Sequence, residues 1–552
     1  MLKAAYTLTF LTGAAGLVYQ VVWQRYLAQM LGSDSLAIAT VLGVFLGGLS
    51  LGYLICGRLT LRVRNVLRVY GILEGLIGLW ALAFPFLFRW VDALTGSWGF
   101  VPTWGLALQG TFCALLLLGP PTLCMGGTVP MLTRGLTRSL EQATGVHARV
   151  YAINTAGAFL GALVGAFVLI PRFGLPDTLT VAAAINLLAA GFFLLSRAPA
   201  DESASTDVTP SSPPARKKSS TTDAHARPTA WALYAIAFLS GIYFMTLESL
   251  IVRIAKLSMG ASSYTFALVV AVFVLSIALG GYWVARRPQI SASALLTNQV
   301  LNCLSLMALF LTLDKWPYAS HVLRTAFSGS TAAFVTYYAT IFAVLFVVLV
   351  IPVGCMGATL PLAFHGLRRE LDGVGASAGA LLSWNAAGNL IGGLFGGFLV
   401  FRWLSNGEVF MLALGLAAVT AGLTTVWLPR SQTAKAALLG VVVLAFVLTF
   451  PAYDPLRFSV GTFRLRSPVD YSYAGAREFY AGYYENRSIL AYRDEPGGTV
   501  AVVQNPSPAV ALSQRFPGLV ASVLGDRAAA VSFEEQPRSI VVNGKSDSST
   551  FY

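Results

Sequence analysis

An ionised side chain inside a membrane helix costs on the order of 3 kcal/mol unless it is paired or hydrated, so its presence marks chemistry. Glu248 stands in the run Ser240-Gly-Ile-Tyr-Phe-Met-Thr-Leu-Glu-Ser-Leu-Ile-Val252, and it is the one carboxylate that the hydropathy pattern places well inside an apolar segment. A lone acid there suits a cation or a proton. Gln20 occupies the equivalent place 228 residues earlier, which suggests one cavity with a charged and a neutral wall. Arg25 and Arg253 follow these two residues at equal spacing. They admit two further readings: an ion pair with Glu248 that locks helices together, or guanidinium groups that reach outward to the interface.

A second constellation is repeated. Pro121-Thr-Leu-Cys124-Met125-Gly126-Gly127-Thr128-Val-Pro130 stands against Pro352-Val-Gly-Cys355-Met356-Gly357-Ala358-Thr359-Leu-Pro361. Prolines flanking a core of small residues predict a helix broken within the membrane, with freed carbonyls and amides open to a ligand. Paired interrupted helices mark a midplane binding site in many carriers. The alternative is a pair of kinks that end each helix near the interface, where Arg134 and Arg368 soon follow. Asn154 and Asn385 sit in matching glycine-rich segments, Asn154-x-x-Gly157-x-x-x-Gly161-x-x-x-Gly165 and Asn385-x-x-Gly388-x-x-x-Gly392-x-x-x-Gly396. These glycines let helices approach closely, and the amides either bridge helices or touch a substrate. The five cysteines lie in or beside apolar segments without metal-ligand spacing and read as buried thiols. His147, His225, His321 and His365 lie in loops or at span ends with no nucleophile or ligand partner in the pattern. No catalytic or metal-binding residue is assigned.

The elements that position these residues are membrane spans. The 552-residue chain is 56% hydrophobic and 11% charged, against roughly 25% charged residues in soluble domains. Apolar stretches near 5–28, 36–57, 67–89, 104–135, 147–171, 176–196, 230–255, 262–285, 292–313, 332–366, 376–401, 407–428 and 435–451 predict thirteen helices, each long enough to span. The net charge of +13 is spread over alternate loops instead of one basic face, which argues against a nucleic-acid partner. Loops after the even-numbered spans carry most of the arginines, among them Arg58, Arg62, Arg64, Arg138, Arg286, Arg287, Arg368 and Arg369, so the amino terminus is expected in the cytoplasm and the tail outside. The run after Met1-Leu2-Lys3 ends at Gln20, Gln24 and Arg25 without a small-residue cleavage site and reads as a retained first span.

The expected organisation is a first six-span repeat (1–197), a flexible Ser/Thr/Pro-rich linker (198–228), a second six-span repeat (229–430), a thirteenth span (431–451) and a β-rich tail (452–552). Six spans per half start the second half on the same side as the first, which makes the repeats parallel about an axis along the membrane normal. The fold class is therefore an all-α polytopic membrane protein of two parallel six-helix repeats, similar in architecture to the major facilitator class, with one extra span and a small soluble tail.

In the tail, Thr499-Val-Ala-Val-Val503 and Arg538-Ser-Ile-Val-Val542 alternate like strands, and Asn543-Gly544 is a hairpin turn. The tail, the opening segment Thr12-Gly-Ala-Ala-Gly-Leu-Val-Tyr-Gln-Val-Val-Trp-Gln-Arg25 and the repeated Cys-Met-Gly motifs together resemble the membrane-fused spermidine synthases, in which a multi-span region precedes a polyamine aminopropyltransferase domain. That resemblance implies a polyamine or related small cation as ligand. It implies decarboxylated S-adenosylmethionine as cofactor only where a separately encoded synthase partner supplies the catalytic domain. The sequence ends at Phe551-Tyr552 without a Gly-x-Gly loop or the Asp-Gly-x-x-Gln turn of those enzymes, whose place is taken by Asn543-Gly544-Lys545-Ser546-Asp547. Three functions follow as expectations: a transport or binding module of the cytoplasmic membrane, the membrane part of an aminopropyltransferase, or an anchor for envelope partners.

Overall fold

The computed structural model describes residues 2–31, 34–96, 103–196, 229–327, 333–450, 454–484, 487–495, 498–505 and 538–549. The linker expected over 198–228 lies outside the described residues.

With no water to bond backbone groups in the hydrocarbon layer, long apolar runs close their hydrogen bonds internally and form helices. The first half holds α1 (Leu2–Leu31), α2 (Asp34–Leu59), α3 (Val66–Gly96), α4 (Thr103–Leu136), α5 (Leu140–Val164) and α6 (Ile170–Leu195). The second holds α7 (Ala230–Met259), α8 (Ser263–Ala285), α9 (Ala294–Leu313), the short amphipathic α10 (Trp316–Ala326), α11 (Ala333–Leu367), α12 (Val374–Ile391) and α13 (Asn406–Leu423), and α14 (Arg430–Thr449) follows. Among the described residues, twelve apolar helical stretches are long enough to cross a membrane. One of them, Leu140–Leu195, is 56 residues long. At 1.5 Å per residue it would reach about 84 Å, well beyond a hydrocarbon layer of about 30 Å. Gly174 (φ 73°, ψ −174°) breaks it into two passes, which gives the thirteen crossings expected from the sequence. The chain is a multi-pass membrane protein, and its outer face is apolar as lipid requires: Leu188 is 71% exposed and Leu448 75%.

The internal repeat is carried by helix contacts. α1 packs on α5 as α7 packs on α12, α2 on α4 as α8 on α11, and α3 on α6 as α9 on α13. The glycines make these contacts possible. A methyl group on Gly157 would lie 1.8 Å from the Phe10 carbonyl oxygen, and one on its counterpart Gly388 would lie 2.0 Å from that of Phe238. Gly52 faces the Leu123 oxygen at 2.1 Å by the same measure, and its counterpart Gly280 faces that of Gly354 at 1.9 Å. The halves join symmetrically: α5 of the first packs on α8 of the second, and α12 of the second on α2 of the first. Across the latter seam the Ser50 hydroxyl lies 3.2 Å from that of Ser383.

The expected breaks in the fourth and tenth spans are corrected. α4 runs through Pro120, Pro121 and Pro130, and α11 through Pro352 and Pro361. A proline removes the donor to the carbonyl four residues back, and a neighbouring side chain can replace it. The Trp80 indole donates to the Leu117 carbonyl at 2.9 Å, which is the acceptor that Pro121 leaves open. The paired irregularities fall instead in the fifth and eleventh spans, as π-helical turns at Gly165–Leu169 and Gly392–Gly396.

The tail folds as a four-stranded antiparallel sheet in the order β1 (Ser488–Glu495), β2 (Gly498–Gln504), β3 (Arg538–Val542) and β4 (Lys545–Ser549). Asn543 (φ 49°) and Gly544 (φ 76°) form the two-residue turn between β3 and β4, a left-handed pair that asparagine and glycine tolerate best. Two short helices, α15 (Pro455–Phe458) and α16 (Ala476–Tyr484), connect α14 to the sheet.

Candidate functional site

Glu248 lies on α7 and is half-buried. Three residues earlier on the same helix, Met245 borders Gly393 of the π-helical turn, a glycine that Leu42 of the first half also borders. Among the described residues no hydrogen bond or ion pair reaches its carboxylate. Gln20 is likewise half-buried on α1. Among the described residues, the ion pair with Arg25 or Arg253 that the sequence allowed does not form: no salt bridge joins Arg25 to Glu248, and Arg253 pairs with Asp494.

A second intramembrane acid was missed. Glu74 on α3 is 1% exposed and belongs to a polar cluster between α1, α3 and α6. The Asn186 amide donates to Glu74 Oε2 at 2.5 Å, and the Tyr19 hydroxyl donates to Asn186 Oδ1 at 2.8 Å. One turn before Glu74, the Tyr70 hydroxyl lies 3.4 Å from that of Thr12. The donors converge on the carboxylate, which is how a buried acid avoids the cost of an unsatisfied charge. At the offset of 228 that relates α1 to α7, Tyr70 corresponds to Asn298 and Glu74 to Asn302. That repeated pair is the signal that would have found Glu74 in the sequence.

The second half carries a neutral version of this cluster. Asn302 donates to the Tyr243 hydroxyl at 3.1 Å, while Asn298 donates to the Cys355 carbonyl at 2.8 Å and to Thr359 Oγ1 at 3.1 Å. Gln299 donates to Thr359 Oγ1 at 3.0 Å and accepts from the Thr420 hydroxyl at 3.1 Å. Thr359 is therefore drawn into the interior, whereas Thr128 bonds the Met125 carbonyl of its own helix, at 2.8 Å. Cys355 and Met356 are buried, and Cys124 and Met125 are half-buried. Gly126 and Gly357 are contact points, against the Leu49 and Ile277 carbonyls. Asn385 donates to the Ala237 carbonyl at 3.0 Å and so ties α12 to α7, while Asn154 lies against Gly13 of α1. All five cysteines are free thiols. Among the described residues no group of three or more His, Cys, Asp and Glu side chains is placed to hold a metal ion.

Arg253 is the anchor of the tail. Its guanidinium donates to the Glu495 carbonyl at 2.6 Å, the Gly498 carbonyl at 2.8 Å and Asp494 Oδ1 at 3.2 Å, and it stacks over Phe401 at 4.3 Å. Asp494 also accepts from the Thr499 hydroxyl at 2.6 Å and the Asn406 amide at 3.0 Å. Arg457 pairs with Asp314, Thr462 donates to the Ser258 carbonyl at 3.0 Å, and His321 Nε2 lies 2.8 Å from Ser472 Oγ. These partners all belong to the second half and to the end of the bundle opposite Leu2. Burial lowers the pKa of His321, which favours the neutral ring. Since Val469 N–H already donates to Ser472 Oγ, at 2.7 Å, the serine hydroxyl is free to donate to that ring.

No family model matches the chain, and no curated protein matches it. Among solved structures, the chain is similar to a bacterial homologue of the iron transporter ferroportin in an outward-facing state, at 15% identity over 77% of this chain and 98% of that one, with a TM-score of 0.49, both with and without soaked iron. It is also similar to the human organic anion transporter MFSD10 (TETRAN), at 15% identity over 76% of this chain and 98% of that one, with a TM-score of 0.46. The resemblance to membrane-fused spermidine synthases is corrected: no family model, curated protein or solved structure points to a synthase family. The polyamine ligand and the synthase partner rested on that resemblance and have no support of their own.

Proposed function

We propose that this chain is a secondary transporter of the cytoplasmic membrane, in which two six-helix halves rock about a central site and Glu74 and Glu248 bind the coupling cation or proton. The observation that carries this reading is the placement of one intramembrane acid in each half, each opposite an amide at the equivalent position of the other half: Glu74 against Asn302 and Glu248 against Gln20. Intramembrane acids retained at such cost serve ion and proton pathways. Parallel repeats that meet through matching seams supply the two rigid bodies that alternating access needs. The positive-inside pattern supports a cytoplasmic Leu2 and an outside tail, whose named polar contacts among the described residues fall on the second half.

The test is uptake of a panel of small cations and organic ions into proteoliposomes under an imposed pH gradient. Wild-type protein is expected to accumulate at least one of them, with loss in Glu248→Gln and in Glu74→Gln. Uptake unchanged in both variants, or no gradient-dependent uptake by the wild type, contradicts the reading.

A further inference from the structure

The end of the bundle that holds Leu2 contains a cleft of about 1060 Å³ lined by both halves. Arg138 and Arg149 enter it from the first half, and Arg287 and Arg368 from the second. Glu141 is the one carboxylate among its lining residues. Some arginines elsewhere find acids: Arg134 meets Asp372 at 2.8 Å, Arg253 meets Asp494 and Arg457 meets Asp314. Among the described residues, none of the four cleft arginines makes an ion pair. Two are instead held on aromatic rings, Arg287 over Trp283 at 4.3 Å and Arg149 over Tyr6 at 5.9 Å, and Arg368 donates to the Leu140 carbonyl. Such contacts fix a guanidinium plane without neutralising it. The amino-terminal end of α5 also opens here, its Ser139 cap making no side-chain hydrogen bond, and it adds the positive end of a helix dipole. Topology alone asks only that arginines stay near this face of the membrane. It does not ask four of them, from three loops and the third turn of α5, to share one cavity.

We infer that this cleft binds a phosphate-bearing anion, as a lipid headgroup or a soluble phosphate compound, held by Arg138 and Arg149 on one side and Arg287 and Arg368 on the other. Guanidinium forks match phosphate oxygens in geometry and charge. The apolar residues that line it, Leu2, Leu67, Val284 and Ile290, suit the glycerol and first methylenes of a lipid, while the volume also admits a diphosphate. The bound anion bridges the two halves at this end. Burial already lowers the pKa of Arg368, with Glu141 opposing it, and an anion removes that penalty.

The test uses the purified full chain with two probes, inorganic pyrophosphate followed by thermal unfolding in neutral detergent, and phosphatidylglycerol against phosphatidylcholine followed by native mass spectrometry. A soluble ligand predicts an unfolding temperature raised by pyrophosphate. A headgroup predicts selective retention of phosphatidylglycerol. In either case the Arg287→Ala, Arg368→Ala double variant loses at least about tenfold in apparent affinity, while Arg430→Ala, at the same end but outside the cleft, does not. Absence of both effects in the wild type, or equal effects in the double variant, overturns the inference.

Discussion

The two halves agree where backbones touch and differ where side chains enter the interior. Gly157 and Gly388 bring α5 onto α1 and α12 onto α7 in the same way, and the seams between halves mirror each other. The polar interiors do not match. In the first half Glu74 is buried and saturated by Asn186 in a chain that includes Tyr19. In the second half the same position is the amide Asn302, and the acid, Glu248, is half-exposed without a described partner. The difference teaches that a duplicated scaffold keeps its packing surface intact and places charge unevenly. A saturated acid exchanges its proton through the donors around it, and an unsaturated one is open directly to a mobile cation.

The largest expected effect separates the halves at the tail. Arg253→Ala leaves the buried Asp494 carboxylate without its cation and is expected to weaken tail docking by about 3–5 kcal/mol. Limited proteolysis should then cleave the tail readily, whereas Arg25→Ala leaves it protected. Equal protection in the two variants breaks the assignment of the tail to the second half.

Next is the exchange of acids. Glu248→Gln is expected to slow transport about a hundredfold, equivalent to about 2.7 kcal/mol. Adding Gln20→Glu to it moves the acid to the other half and should recover part of the rate, because both positions are read as facing one cavity. Uptake rates of the single and double variants check this, and no recovery would place Gln20 and Glu248 in separate environments.

The glycine contacts should behave alike. Gly157→Ala and Gly388→Ala each push a methyl group onto a carbonyl, with an expected loss of about 2 kcal/mol. A large difference between the two in thermal unfolding would show that the packing repeat is not energetically symmetric.

The smallest effect is one of pH. His321 has a folded-state pKa below its unfolded value, so its contribution to docking is complete above about pH 6.5 and is lost as the pH falls toward the folded value. Hydrogen exchange in α16 should therefore rise mildly in acid. His321→Phe should flatten that rise, and an unchanged profile would remove His321 from the account.

Much of this was legible in the sequence. Hydropathy and loop arginines carried the spans, and the nearly constant offset between halves carried the repeat, because close helix contacts demand glycine at fixed spacing. The Asn543-Gly544 turn and the alternation on either side of it carried the sheet. Glu74 was hidden because it lies only two turns into α3, close to Arg64 and Arg68, and hydropathy alone does not distinguish an interfacial acid from a buried one. The continuity of α4 was hidden because it depends on Trp80, which lies far away in sequence and fills the acceptor that Pro121 leaves open. The role of Arg253 was hidden for the same reason, its partners lying more than two hundred residues downstream in the tail.

The central claim is that the halves move as two bodies under the control of the two acids, and distance measurements between spin labels test it most directly. One pair, Arg64→Cys with Ser291→Cys, spans the halves at the end near Leu2, and the other, Arg172→Cys with Arg402→Cys, spans them at the tail end, all four positions being exposed. In a background without the native cysteines, neutralising both acids by Glu74→Gln and Glu248→Gln is expected to lengthen one distance and shorten the other. Two distributions that stay unchanged, or that shift in the same sense at both ends, would contradict the account.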